Sequence, residues 1–187
     1  MAAAWLLIIP LLSGISHLDP AASAVVLEKF TALTGIILMT PLFLPEQNRD
    51  IRDLMDSKAT PQTGVQYIRL LLASLTIVVM VWGMVTVMQA MDSHFPAARY
   101  IFGTFASAFF LGSIGFAAYG LCNQLAIGYM VPLAYYLTNM FTGSKYVQYF
   151  YLFSLGNGSF DEKYWLFAGG VILIVLTLAF KEIQRRR

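Results

Sequence analysis

Apolar residues occur in long runs along this chain, separated by short polar or charged segments. A helix that crosses the ~30 Å hydrocarbon core of a bilayer needs roughly 20 mostly apolar residues. Six runs approach that length, so the pattern predicts an all-α polytopic membrane protein with one transmembrane domain over residues 1–187. The predicted spans are residues 2–15, 24–44, 65–91, 100–119, 125–143 and 164–180.

The longest uncharged stretch predicts how the fourth and fifth spans pair. No charged residue occurs among the 45 residues between Arg99 and Lys145. As one straight helix this stretch would measure about 68 Å, more than twice the core thickness, so it must fold back. The reversal is predicted from Gly120 to Gln124 (GLCNQ), where a glycine and two amides interrupt the hydrophobicity.

The basic residues favour one orientation, because cytoplasmic flanks of membrane proteins carry an excess of lysine and arginine. With both termini in the cytoplasm, eight basic residues fall on the cytoplasmic side and four on the outer side. The C-terminal arginines 185–187 would also be attracted to anionic lipid headgroups. We therefore expect a multi-pass protein of the cell (cytoplasmic) membrane.

The first run has a competing interpretation as a secretory signal, because Ala22-Ser23-Ala24 resembles a cleavage site. A signal peptide carries a basic region at its start, and residues 1–10 contain no lysine or arginine. This favours a membrane span. Cleavage would instead leave five spans and place the termini on opposite sides.

The amino-acid composition disfavours several classes of function. Hydrophobic residues make up 58% of the chain and charged ones 12%, too little polar surface for a soluble domain, and a net charge of +2 does not favour nucleic-acid binding. A single cysteine and two separated histidines, His17 and His94, predict neither a disulfide nor a metal site. Phosphate-binding, dinucleotide-binding and hydrolase motifs are missing, so we expect no cofactor and no catalytic residues on this chain.

Polar and small residues inside the spans have two interpretations each. Glu28 and Lys29 lie near the outer end of the second span, where we expect both side chains to snorkel to the headgroups; the alternative is a buried binding carboxylate. Small residues recur through the fourth span, and a proline interrupts the fifth. Helix packing is the first interpretation and lining of a pathway the second for Gly103, Ser107, Gly112, Gly115 and Pro132.

The outer interfacial segment, residues 144–163, is too long for a turn and rich in tyrosine and phenylalanine. Aromatic side chains favour the membrane interface, so we expect one or two short helices that dip into the outer leaflet. A plain aromatic belt is the alternative.

A charged segment follows the second span. The stretch from Glu46 to Lys58 holds seven of the 22 charged residues. Pro45 suits a first helical turn and the acidic residues suit a helix N-terminus, so we expect a short helix over residues 46–56 within a cytoplasmic segment of residues 45–64. Ile51, Leu54 and Met55 share one face of it, which could rest on the membrane or fit a cleft in a soluble partner.

This layout resembles the membrane (permease) subunit of an ATP-binding-cassette (ABC) transporter of the type-2 exporter class. In that family an acidic residue begins the segment after span two, followed by a leucine, a small-residue and basic turn ending in proline, and an aromatic before a basic residue. The matching positions here are Glu46, Leu54, Ser57 to Pro61, Tyr67 and Arg69. The family's short re-entrant outer helices between spans five and six match Ser144 to Trp165.

The resemblance implies a permease that couples through this cytoplasmic helix to separate ABC ATPase subunits, which bind ATP and Mg²⁺. It also implies a second permease chain, forming a homo- or heterodimer. Because the predicted spans contain so few charges, we expect an amphipathic, lipid-like, peptide or antibiotic cargo. The docking candidates it assigns are Glu46, Arg49, Asp50, Ile51, Arg52, Leu54 and Met55.

Two other classes remain open at this point. The chain could be a membrane accessory or assembly protein whose charged segment docks a soluble partner without transport. An integral-membrane enzyme would require convergent His, Asp or Glu residues near one interface, and those residues are scattered along the sequence.

Overall fold

The computed structural model describes residues 2–13, 17–47, 62–93, 95–143 and 147–185. Within these ranges every regular element is helical and no strand occurs, which confirms the all-α class. The α-helices are α1 (Ala2–Ser13), α2 (Pro20–Lys29), α3 (Thr34–Met39), α4 (Gln62–Ala90), α5 (Ala97–Cys122), α6 (Leu125–Thr142) and α7 (Asp161–Arg185). Short 3-10 helices cover Thr31–Leu33, Thr40–Gln47, Gln148–Phe150 and Leu155–Asn157.

Four helical stretches in the described ranges are long and apolar enough to cross a membrane: Pro20–Leu44, Gly64–Ala90, Ala97–Cys122 and Asp161–Gln184. The first predicted span forms only α1, whose 12 residues measure about 18 Å, less than the hydrocarbon core. The fifth forms α6, with 18 residues or about 27 Å. That α1 and α6 also cross stays a prediction.

The face of α4 that points away from the bundle has the composition of a surface that contacts lipid. Leu71, Val79 and Trp82 are each more than half exposed (63%, 57% and 57%). In water a continuous stripe of such side chains would be unfavourable, whereas acyl chains solvate it without cost.

The second span is a broken helix. Its α-helical hydrogen bonding is interrupted at Thr31–Leu33 and changes to 3-10 geometry again at Thr40–Gln47. In the second of these turns Pro45 has no N–H to donate to the carbonyl of Leu42, and Nη1 of Arg69 on α4 donates to that oxygen at 3.4 Å instead. Carbonyls freed inside a membrane must find such partners.

Helix α5 forms the centre of the bundle, in contact with α3, α4, α6 and α7. It reverses into α6 at Asn123, which adopts the left-handed conformation (φ 51°), with its N–H donating to Tyr119 O at 2.8 Å. The predicted fold-back of the uncharged stretch between Gly120 and Gln124 is thereby confirmed.

The helix ends lie at two opposite faces of the bundle. At one face Nζ of Lys181 is 2.7 Å from Oδ1 of Asn123 and 5.1 Å from the ring centre of Phe43. At the other face the N–H of His17 donates to Met91 O at 3.0 Å, and the hydroxyl of Tyr100 donates to Pro20 O at 3.0 Å. The last turns of the broken span therefore share a face with the α5–α6 turn and the end of α7.

Candidate functional site

An ion pair lies inside the bundle. The side chains of Glu28 on α2 and Lys163 on α7 are 2% and 0% exposed. No other charged side chain among the described residues is buried. The expectation that Glu28 snorkels to the headgroups is wrong, because this carboxylate points into the protein. Lys29, by contrast, is partly exposed. A buried ionisable residue in a membrane protein marks a functional-site candidate.

All three hydrogen-bond donors of the Lys163 ammonium group are used. Nζ donates to Oε1 of Glu28 at 2.5 Å, to Oγ of Ser107 at 2.8 Å and to the carbonyl of Leu152 at 2.5 Å. An ammonium group has three donors, so its hydrogen bonding is complete. Lys163 also occupies the first turn of α7, where the helix dipole disfavours a positive charge, and Glu28 compensates that charge.

The carboxylate of Glu28 has a second role. Its Oε1 accepts a hydrogen bond from the backbone N–H of Leu155 at 3.0 Å. Glu28 thus binds both a side chain of α7 and the backbone of the segment that precedes α7.

The charge of Glu28 also acts on a nearby tyrosine. Burial raises the pKa of the Tyr151 hydroxyl above its ordinary value, and the negative charge of Glu28 adds to the shift.

The ion pair lies against residues 147–160, here called the connector, which lead from α6 towards α7. Between residues 148 and 160 the regular structure consists of two three-residue 3-10 helices, yet residues 152–155 are all buried. Buried backbone outside regular structure must obtain its hydrogen bonds elsewhere.

Side chains of four helices supply these bonds. Besides the contacts of Glu28 and Lys163, Oδ1 of Asn139 accepts from the N–H of Leu152 at 3.2 Å. The hydroxyl of Ser107 donates to Leu152 O at 3.2 Å, and that of Tyr135 donates to Phe150 O at 2.7 Å. The connector is therefore held by α2, α5, α6 and α7 together.

Between residues 148 and 160 the predicted short outer helices take the form of two 3-10 turns, and side-chain contacts from the surrounding helices hold this part of the segment. Of the outer interfacial segment, residues 144–146 lie outside the described ranges, and α7 already begins at Asp161. Its aromatic residues lie partly inside the protein: Phe153 is 8% exposed and stacks edge-on against Tyr136, with ring centres 5.5 Å apart.

The small residues predicted in the fourth span lie against other segments of the same chain. A Cβ added at Gly103 would come within 2.9 Å of Leu155 Cδ1, and one added at Gly112 within 2.6 Å of Met39 Sδ. One added at Gly115 would come within 3.0 Å of Gly128 O and 3.4 Å of Cγ of Pro132, which is buried in α6. Ser107 alone among the predicted residues binds the ion pair directly.

Of the docking candidates, Glu46 falls within the described residues, and it does not lie at this site. Glu46 lies in the 3-10 helix Thr40–Gln47, at the face of the bundle opposite the connector. The other candidates, Arg49, Asp50, Ile51, Arg52, Leu54 and Met55, lie outside the described residues. Their role as a docking helix stays a prediction.

Lys163 is not identified as a site residue from the sequence, where it counts only among the four basic residues of the predicted outer side. The available signal was a lysine at the start of one apolar run and a glutamate near the start of another. Neither residue's place in the sequence indicates that Lys163 forms an ion pair with Glu28, 135 positions away. Within the described ranges no group of three His, Cys, Asp or Glu side chains could hold a metal ion.

The ion pair and its contacts are suited to holding two charges and a polar stretch of backbone away from water.

A comparison of the sequence with protein-family models gives no match, and comparisons with curated proteins and with solved structures give none either. The family resemblance therefore depends on the layout and the quoted positions of this chain alone.

Proposed function

We propose that this chain is the permease subunit of an ATP-driven ABC exporter of the type-2 class, located in the cytoplasmic membrane. The observation that carries the proposal is the position of the charged segment. It directly follows the broken stretch Pro20–Leu44 and precedes the long helix Gly64–Ala90, as the coupling segment does in that family.

Two further features support the same assignment. The last turn before the charged segment shares its end of the bundle with Lys181 and contacts Arg69, and basic side chains at this end agree with the positive-inside rule for a cytoplasmic side. At the opposite face a re-entering, buried connector precedes the final helix. Six spans with both termini in the cytoplasm complete the proposed topology.

The proposed mechanism assigns no bond chemistry to this chain. ATP and Mg²⁺ bind to a pair of partner ATPase subunits, and their closure pushes on the segment of residues 45–64. That push moves the stretch Pro20–Leu44 and α4, which flank the segment, and opens a pathway between this chain and a second permease. The few buried charges of the described residues suit an amphipathic or lipid-like cargo, a peptide or an antibiotic.

Co-purification tests the proposal. The tagged chain, extracted from its native membrane, is expected to bring down a nucleotide-binding subunit with ATPase activity. Leu54→Asp should abolish that association, because it places a charge on the apolar face of the predicted docking helix. Ser57→Asp adds the same charge at a polar position of the segment and should retain the subunit.

Two results would contradict the proposal. One is recovery of a soluble partner without ATPase activity, which would indicate an accessory or assembly protein. The other is a Leu54→Asp variant that recovers as much ATPase as the unmodified chain.

A further inference from the structure

The connector contains Gly158 near its end (φ 75°), in the left-handed region that favours glycine, and no heavy atom of the described residues lies within 4 Å of a Cβ added there. Gly143 (φ 69°), which follows α6, has the same two properties. The packing of the described residues therefore confines neither glycine. Backbone changes at such positions are the usual way in which a loop swings.

The connector is held by separate side-chain contacts and not by a regular ladder of backbone hydrogen bonds. Its backbone bonds reach side chains of the surrounding helices, and its apolar anchors are Leu152, Phe153 and Leu155, which are 1%, 8% and 8% exposed. A regular helix or sheet would add a ladder of hydrogen bonds, and the connector lacks one between its two 3-10 turns.

Glu28 and Lys163 bind the connector at two points, one in the turn Leu155–Asn157 and one at Leu152 before it. Glu28 accepts from the N–H of Leu155 and Lys163 donates to the carbonyl of Leu152, while each neutralises the other. If one charge is removed, the other is left buried and uncompensated, which is strongly unfavourable. That remaining charge is relieved if the connector swings outward and water enters.

We infer that the connector is a lid and that Glu28 and Lys163 are the clamp that keeps it closed through charge compensation. Opening uncovers the polar face formed by Glu28, Ser107 and Lys163 at the end of the bundle opposite the charged segment. This inference does not depend on an ATPase partner, so it stands or falls separately from the proposed transport function.

A cysteine-labelling experiment tests the clamp. Cys122 is the single cysteine of the chain, so Cys122→Ser gives a cysteine-free background. Ser154→Cys reports on the lid, and Ser23→Cys on α2 is the matched control. Both serines are 0% exposed, and neither hydroxyl has a hydrogen-bond partner among the described residues, so the two substitutions replace equally buried, unbonded hydroxyls.

The full chain is reconstituted in lipid nanodiscs and labelled with a charged, membrane-impermeant maleimide. With the clamp intact both reporters should label slowly. Glu28→Gln or Lys163→Gln should accelerate labelling at Ser154→Cys by at least about tenfold, because each leaves one buried charge unpaired, and should leave Ser23→Cys unchanged.

The double variant Glu28→Gln/Lys163→Gln should label nearly as slowly as the background. It carries no charge, and the amide at position 28 still offers an acceptor for Leu155 N–H. The inference is overturned if the single variants leave Ser154→Cys at the background rate, or if the double variant labels as fast as the single ones. It is also overturned if Ser23→Cys accelerates in parallel, since the pair would then stabilise the whole bundle and not the lid.

Discussion

The hydroxyl of Tyr136 on α6 donates a hydrogen bond of 2.9 Å to the carbonyl oxygen of Lys29, the last residue of α2. The next carbonyl, that of Phe30, accepts from the indole N–H of Trp5 on α1 at 2.9 Å. Both oxygens lie where the second span leaves α-helical geometry at Thr31–Leu33. The break in this span is thus stabilised by donors from two other helices, as a broken helix inside a membrane requires.

Removing the first donor is expected to destabilise the bundle. Tyr136→Phe keeps the ring, which is 8% exposed, and leaves the Lys29 carbonyl without this donor, at a cost of about 1 kcal/mol. The measurement is the thermal unfolding midpoint of the purified protein in detergent. Tyr67→Phe makes the same chemical change at a ring that is 53% exposed and should leave the midpoint unchanged. Equal midpoints for the two variants would contradict a stabilising role for this bond.

A second variant concerns the site itself. Ser107→Ala removes one of the three acceptors of the Lys163 ammonium group inside the protein, which should cost about 1.5–3 kcal/mol. Ser113→Ala is the control, since Ser113 is also fully buried on α5 but its hydroxyl donates only to the carbonyl of Phe109 in the preceding turn, at 2.7 Å. We expect its cost to stay below about 1 kcal/mol. Denaturant unfolding followed by intrinsic fluorescence compares them, and a larger loss for Ser113→Ala would be inconsistent with the acceptor role of Ser107.

The sequence predicted the helical class and the helical stretches because apolar run length is a strong local signal. The α5–α6 reversal followed from a length that one membrane crossing cannot accommodate. Helix ends were less accurate: α4 begins at Gln62 and α7 at Asp161, outside the predicted spans, because helices continue through polar residues that hydropathy excludes.

The site could be predicted only in fragments. Ser107 and Gly103 were recognised as small residues, but Glu28 was assigned to the headgroups because its partner, Lys163, lies in a distant part of the sequence. Run length and periodicity describe one element at a time. Which charges meet depends on how the connector re-enters the bundle, and that is a property of tertiary packing.

Close helix packing gives a third prediction. A Cβ at Gly112 would come within 2.6 Å of Met39 Sδ and 2.7 Å of Gly35 O, so Gly112→Ala should force α3 and α5 apart at a cost of about 1–3 kcal/mol. Gly83→Ala on α4 is the counterpart, because no heavy atom of the described residues lies within 4 Å of its added Cβ. Better helix propensity should make that variant up to about 1 kcal/mol more stable. Thermal midpoints that shift in opposite directions are expected, and a neutral Gly112→Ala would show that α3 and α5 do not pack this closely.

The proposed topology gives the fourth prediction, since the connector and the charged segment should lie on opposite sides of the membrane. In the Cys122→Ser background, Asn157→Cys is exposed on the connector and should react with an impermeant maleimide added to intact cells. Ser57→Cys, in the charged segment, should react only after the membrane is permeabilised, because basic residues retain that segment in the cytoplasm. A reporter fused after Arg187 should be cytoplasmic as well. Labelling of Ser57→Cys in intact cells, or an external reporter at Arg187, would exclude the arrangement of six spans with both termini inside.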